Sequence, residues 1–199
     1  KDCACCGAYI SPTEWKEFQC YNLGASNPTT NPNTPLQGIA GSYYQWGRST
    51  VVATGTTPTT AIAGWNTTPV ADGAWLDETK TATDPCPSGY RVPTYNQWKG
   101  VINNNTKNYQ GSWTNSSTNF TSAITFGASV AAGTLTLPAA GRRDYVNGAL
   151  ADRGIWGYYW SSTMNGPPIY YLSFSTNPVG TNMSNSNRLN GFSVRCVSE

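Results

Sequence analysis

The chain contains no histidine. That absence removes Ser–His–Asp and Cys–His catalytic arrangements and any His-ligated zinc. Charge is scarce as well: 11% of residues are charged, against roughly 25% in an average soluble domain. Twelve basic and ten acidic residues leave a net charge of +2. With no basic stripe along the chain, no nucleic-acid partner is expected. No run of about 18 apolar residues occurs, so no direct membrane insertion is expected. A signal-peptide pattern is also missing, and the start at Lys1-Asp2-Cys3 reads as an excised domain or a mature product.

What the chain has is uncharged polarity and aromatic mass. It carries 26 Thr, 19 Asn and 18 Ser beside 8 Trp and 12 Tyr. So many aromatics fit a packed core rather than a disordered chain. A length of 199 residues reads as one domain, 1–199, large enough to bury a core without metals. Six cysteines, an even number, fit disulfides in an exported protein. The alternative is a reduced protein, or a zinc site built from Cys3, Cys5, Cys6 and Cys20, although C-x-C-C is not a usual zinc spacing.

Two helix signals stand out. In the Cys-rich segment 1–23, Ser11, Pro12 and Glu14 spell an N-cap, a first helical position and a capping box. Thr94 and Gln97 spell a second box, followed by an apolar stripe at Tyr95, Trp98, Val101 and Ile102. Between them, 24–85 is a Pro/Thr/Gly/Asn-rich stretch pinned by Trp65 and Trp75, with a short aromatic strand at 43–46. Strand patterns follow at Ala123–Phe126, Thr134–Leu137, Tyr158–Ser162, Tyr170–Phe174 and Phe192–Val197. The resulting expectation is α+β: two short helices, a small antiparallel sheet and long loops.

Three stretches together carry a family resemblance. The first is Cys6-Gly-Ala-Tyr-Ile10 through Trp15-Lys-Glu-Phe-Gln-Cys20-Tyr-Asn-Leu-Gly24, then Tyr43-Tyr-Gln-Trp-Gly-Arg48. The second is Asp84-Pro-Cys-Pro-Ser-Gly-Tyr-Arg-Val-Pro-Thr94, leading to Trp98. The third is Leu137-Pro-Ala-Ala-Gly141, Asn147-Gly148, Arg153-Gly154, Tyr159-Trp-Ser-Ser162 and Gly191-Phe-Ser-Val-Arg-Cys-Val197. In this order they resemble the Fibrobacter succinogenes major paralogous domain family of bacterial surface and secreted proteins. That resemblance implies a C-type-lectin-like fold and an extracellular or cell-surface location within a larger exported protein. It also implies a disulfide between Cys86 and Cys196, closing a loop worth roughly 4–5 kcal/mol in the chain-entropy model. Cys6–Cys20 is the next pairing, leaving Cys3 for Cys5 or for a partner elsewhere.

The C-terminal third also resembles the variable proteins of diversity-generating retroelements, whose last segment is rewritten at template adenines. Randomising the adenines of an AAC codon yields Asn and many other residues, but not Trp, Lys, Glu, Gln or Met. Asn147, Asn165, Asn177, Asn182, Asn185, Asn187 and Asn190 lie among Gly, Ser and Arg. Interleaved with them are Tyr145, Val146, Ala151, Asp152, Ile155, Tyr158, Pro167, Pro168, Ile169, Tyr171, Ser184, Ser186 and Leu189, all reachable from AAC. The plainer alternative is an Asn/Ser-rich surface loop of an ordinary family member.

These residues, with Trp156, form the expected ligand-binding set in the loop-rich region 144–190. Tyr and Trp present flat apolar faces with a hydrogen-bonding rim at low entropy cost. Strand alternation divides the aromatics, sending Tyr158 and Trp160 one way and Tyr159 the other. Tyr159, Tyr170 or Leu172, and Phe174 are expected in the core, as are Trp15, Trp46 and Trp98.

Carboxylates supply the enzymatic alternative. Asp144 and Asp152, or the group Asp72, Asp77, Glu78 and Asp84, could act on polysaccharide if paired across a sugar. The opposing reading is loop carboxylates paired with Arg142, Arg143 or Arg153. Arg142 and Arg143 could instead hold an anion, although adjacent strand residues face opposite ways. No cofactor and no metal are expected: the Glu-Pro-Asn, Gln-Pro-Asp and Trp-Asn-Asp triplets of calcium-dependent lectins are absent, and only Cys196 lies in the C-terminal half. The expectation is therefore a non-enzymatic, adhesin-like domain that recognises a protein or glycan on another cell or host surface. The alternatives are a polysaccharide-acting enzyme or a structural module of a larger surface or fimbrial protein.

Overall fold

A computed structural model describes residues 6–127, 133–176 and 180–199. Cys3, Cys5 and Asn177 lie outside the described residues. The first strands are β1 (Gly7–Tyr9), β2 (Trp15–Glu17), β3 (Tyr43–Gln45), β4 (Val51–Ala53) and β5 (Tyr90–Arg91). Helix α1 (Tyr95–Asn104) precedes β6 (Lys107–Gln110), β7 (Ala123–Phe126), β8 (Leu135–Pro138), β9 (Arg142–Arg143) and β10 (Leu150–Ala151). The chain ends with β11 (Gly157–Met164), β12 (Ile169–Ser175), β13 (Gly180–Ser186), β14 (Gly191–Phe192) and β15 (Val197–Ser198). Among the described residues these strands make five small antiparallel sheets: β1-β2, β10-β9-β14-β3-β4, β11-β12-β13, β15-β5 and β6-β7-β8. A 3₁₀ turn covers Gln37–Ile39.

With 31% of the described residues in strands and 7% helical, the molecule is mostly β. This corrects the expected two-helix, C-type-lectin-like α+β arrangement, because the first expected helix is a hairpin. Ser11 Oγ does accept from the Glu14 amide at 3.0 Å, as a capping box requires, but it also accepts from Thr13. The bonds close a turn, and Trp15–Glu17 then runs extended, back along Gly7–Tyr9. The stretch before Asn22-Leu23-Gly24 is too short to repay helix nucleation. The Cys6–Cys20 disulfide joins the ends of the hairpin.

The second helix forms as its sequence signals require. Thr94 Oγ1 accepts from the Gln97 amide, and Gln97 Oε1 accepts from the Thr94 amide. Trp98, Gly100 and Val101 are buried. Gly100 is needed where it sits: a Cβ there would lie 1.7 Å from the Ile10 carbonyl oxygen, so the hairpin backbone packs directly on the helix.

Two cores lie on either side of the β11-β12-β13 sheet. The first gathers Phe18, Trp98, Val101, Ile124, Phe126, Leu135, Leu137, Tyr159, Leu172 and Phe174. The second gathers Tyr44, Trp46, Trp75, Val92, Trp160, Ile169, Phe192 and Val194 around the Cys86–Cys196 disulfide. Buried indoles stitch them together, each N–H finding a carbonyl. Trp98 Nε1 donates to the Trp160 carbonyl, Trp160 Nε1 to Tyr44, and Trp46 Nε1 to Ser161. Trp46 and Trp98 are therefore core as expected, whereas Trp15 is only half-buried. Arg195 is buried, has no carboxylate partner among the described residues, and donates to Asn22 Oδ1 and to the Gln19 and Thr136 carbonyls.

Beyond β3 and β4, the Pro/Thr-rich stretch is held by side chains. Trp75 is buried and donates to the Thr83 carbonyl. The Lys80 ammonium donates to the carbonyls of Cys86, Pro87 and Tyr90. Asp77 accepts from Ser162 and Thr163.

Candidate functional site

The sheet β11-β12-β13 presents two unlike faces. On one, Tyr159, Leu172 and Phe174 face the core beneath α1, and all three are fully buried. On the other, Tyr158, Trp160, Tyr171, Ser184 and Ser186 follow one another across the strands. Their register pairs Trp160 with Tyr171 and Tyr171 with Ser184. The inner part of this second face covers the second core; the outer part opens to solvent, with Ser184 exposed and Tyr171 and Ser186 half-buried.

A closed circuit of contacts borders that open part. Trp156 stacks on Tyr158 at 5.9 Å, and Tyr158 meets Tyr171 at 5.8 Å. The Tyr158 hydroxyl donates to Asp152 Oδ2 at 2.9 Å. Arg142 Nε donates to the same oxygen at 3.2 Å, and its Nη1 to Asp144 Oδ2 at 3.1 Å. Arg142 Nη1 also reaches Asn190 Oδ1 at 3.5 Å, and Asn190 Nδ2 donates to Ser186 Oγ at 2.8 Å. Ser186 lies two residues from Ser184 on the same strand face, which closes the circuit. Residues from seven separate elements or turns thus meet on one surface.

Its electrostatics follow from partial burial. Desolvation raises the Tyr158 hydroxyl above its ordinary value, and the Asp152 charge adds to the shift. Burial alone would lower the Arg142 guanidinium, but Asp144, Tyr158 and Asp152 outweigh it and hold it above its ordinary value. One guanidinium and two carboxylates leave a formal charge of −1. The two carboxylates share one cation instead of facing each other across an open cleft.

The expected site residues divide by place. Asp152, Trp156, Tyr158, Tyr171, Ser184 and Ser186 belong to the circuit. Ala151 and Ile155 are half-buried beside Asp152 in the chain. Tyr145 and Val146 are exposed on the turn between β9 and β10. That turn is fixed by the Gly148 amide on the Asp144 carbonyl and by Trp65 Nε1 on the Tyr145 carbonyl. Pro167, Pro168 and Leu189 line a separate groove. Ile169 requires correction: it is fully buried in the second core, because it shares the Trp160 side of the sheet where that side is covered. Of the core expectations on these strands, Tyr170 is half-buried while Leu172 is buried.

The circuit also depends on Arg142 and Asn190. Arg142, read from the sequence either as a partner for the loop carboxylates or as an anion binder, is paired internally with Asp144 and Asp152, while Arg143 turns the other way onto the Thr57, Pro58 and Gly148 carbonyls. Asn190 was legible only as one Asn among many. No local signal marked the contact between Arg142 and Asn190, which lie 48 residues apart in the chain. Among the described residues, no group of three or more acidic or cysteine side chains is placed to hold a metal ion.

Two disulfides fit an oxidising environment. Among the described residues no helix is long and apolar enough to cross a membrane. No family model, no curated protein and no solved structure matches this chain.

Proposed function

We propose that this domain is a recognition module of an exported or surface protein, contacting a protein or glycan through the face bordered by Asp152, Trp156, Tyr158, Tyr171, Ser184 and Ser186. One observation carries the reading. Side chains scattered over 35 positions converge on one face, while the strands beneath them spend their opposite face on a fully buried core. The outer side chains Ser184 and Ser186 can be exchanged without disturbing the packing that holds the strands, whereas Tyr158 and Tyr171 also pack on the second core. Aromatic rings beside carboxylates, hydroxyls and amides give the face apolar area together with directional hydrogen bonds. A pre-formed sheet limits the ordering entropy that binding must overcome.

The retroelement resemblance belongs to the same proposal: apart from Trp156, whose residue type is not reachable from AAC, the side chains of this face are ones that adenine rewriting would alter. Sequencing the surrounding locus and the same gene in sister isolates tests it. The expected finding is a reverse transcriptase gene and a near-copy of the 3′ coding end that differs at adenines. Identical codons for 144–190 in every isolate, with no such near-copy, would remove diversification. The broader recognition reading is tested on glycan and protein arrays. Binding by the parent domain should be lost in W156A and Y171A variants that remain folded; binding unchanged in both would overturn this choice of face.

A further inference from the structure

Beside that face lies an open groove of about 540 Å³, within the size range of ligand sites. It runs between segment 69–72, the turn from β11 to β12 and the turn after β13. Pro69, Val70, Pro167, Pro168 and Leu189 make its walls apolar.

Two charges in this groove are unequally available. Arg188 is the buried one, with 8% of its side chain exposed. Its Nε and Nη2 donate to the Pro167 carbonyl, its Nη1 to Val70, and its guanidinium lies 5.2 Å from the centre of the Trp46 ring. This arginine therefore clamps the two walls together from below. Asp72 is its ion-pair partner through Oδ1 at 2.9 Å, yet 75% of the Asp72 side chain is exposed. Its Oδ2 has no hydrogen-bond partner among the described residues. The accessible end of the pair is negative and the compensating positive charge is inside.

We propose that this groove receives the aliphatic, cationic side chain of a lysine or arginine on a partner protein. The methylene stem would lie on the proline rings, Val70 and Leu189, as long basic side chains do on apolar surface. The charged head would donate to Asp72 Oδ2 in a charge-assisted hydrogen bond. The inference rests on the recognition reading but concerns different residues.

Two blocked amino acids test it on the whole domain. N-acetyl-lysine methylamide and N-acetyl-norleucine methylamide share a stem and differ in the ammonium. In NMR titrations the lysine probe should shift the Val70 and Leu189 methyl signals saturably. It should bind about fivefold more tightly than norleucine, the effect of roughly 1 kcal/mol from one exposed charged contact. Asp72→Asn should erase that difference, whereas Leu189→Ala should weaken both probes alike. Equal binding of the two probes, or no saturable shift, would overturn the proposal. Because neither probe involves Trp156 or Tyr171, failure here is distinguishable from failure of the array experiment.

Discussion

Tyr158 and Tyr159 are neighbours in β11 and face opposite cores. The Tyr159 hydroxyl donates to the Pro138 carbonyl and accepts from Asn22 Nδ2, wholly inside the protein. The Tyr158 ring stacks on Phe192 at 5.1 Å, and its hydroxyl reaches outward to Asp152. One strand thus anchors the scaffold and supplies an edge of the proposed contact surface.

Exchange should be cheap on one side of this sheet and costly on the other. Ser184→Tyr is expected to change unfolding free energy by no more than about 0.5 kcal/mol, as exposed substitutions usually do. Leu172→Ala, at a fully buried position, should cost about 2–5 kcal/mol. Urea titrations of the two variants check this, and similar losses in both would show that the outer face is also structural.

Asp152 should limit what can be exchanged. Its φ of +65° lies in the left-handed region, which Asn, Asp and Gly tolerate and β-branched residues do not. Asp152→Asn and Asp152→Val both remove the charge; asparagine keeps an acceptor for Tyr158 and tolerates the left-handed backbone, and valine does neither. Valine is expected to be less stable than asparagine by about 1–2 kcal/mol. Equal melting temperatures for the pair would remove the constraint.

The Cys86–Cys196 bridge spans 110 residues and ties the approach to β5 to the segment before β15. Replacing both cysteines by alanine should cost about 4–5 kcal/mol in the chain-entropy model. Denaturant unfolding of the double variant against the parent measures it; a loss below about 1 kcal/mol would mean that the surrounding β5-β15 pairing and second core suffice.

Lys80 should act as a built-in cation. Its three ammonium donors meet three backbone carbonyls, with the Pro87 oxygen at 2.7 Å and the Tyr90 oxygen at 2.6 Å. Lys80→Met keeps the stem and strips the donors, so it should destabilise by about 1–3 kcal/mol. Hydrogen exchange should quicken first in 80–92. Uniform protection in the variant would argue against the clamp.

Stability should fall in alkali. Burial pushes the Tyr44 hydroxyl up to about 12 and also raises those of Tyr158 and Tyr159. In the unfolded chain tyrosine ionises near its ordinary value of about 10. Above that pH the folded state holds protons the unfolded state has lost, so their contribution is intact below about 10 and is lost as pH rises towards the folded values. Burial pulls Arg195 down to about 10 and also lowers Arg143, and both act in the opposite sense. Tyrosinate absorbance should show these three of the 12 tyrosines ionising only with unfolding. A single transition for all of them in the folded protein would contradict this.

Much of the scaffold was legible locally. Thr94 and Gln97 specified the start of α1 because a capping box is satisfied within four residues. Alternation in Tyr158–Ser162 and Tyr170–Phe174 foretold which side chains share a face, since that depends only on the pleat. The same kind of local signal misled at Ser11. Its hydroxyl bonds the Glu14 amide in a turn as readily as in a helix, and pairing with Gly7–Tyr9 decided between them.

By itself, then, the sequence determined the absence of histidine chemistry, the aromatic weight of the core, one helix and the strand periodicity. The tertiary structure decided which faces are covered. Ile169 is buried and Ser184 is open because the second core covers this side of β11 and β12 and does not extend over β13. It also decided that Arg142 joins Asp144, Asp152 and Asn190, and that Arg188 is hidden while Asp72 is not. Local patterns extend over a few residues; burial and ion pairing depend on segments that only folding brings together.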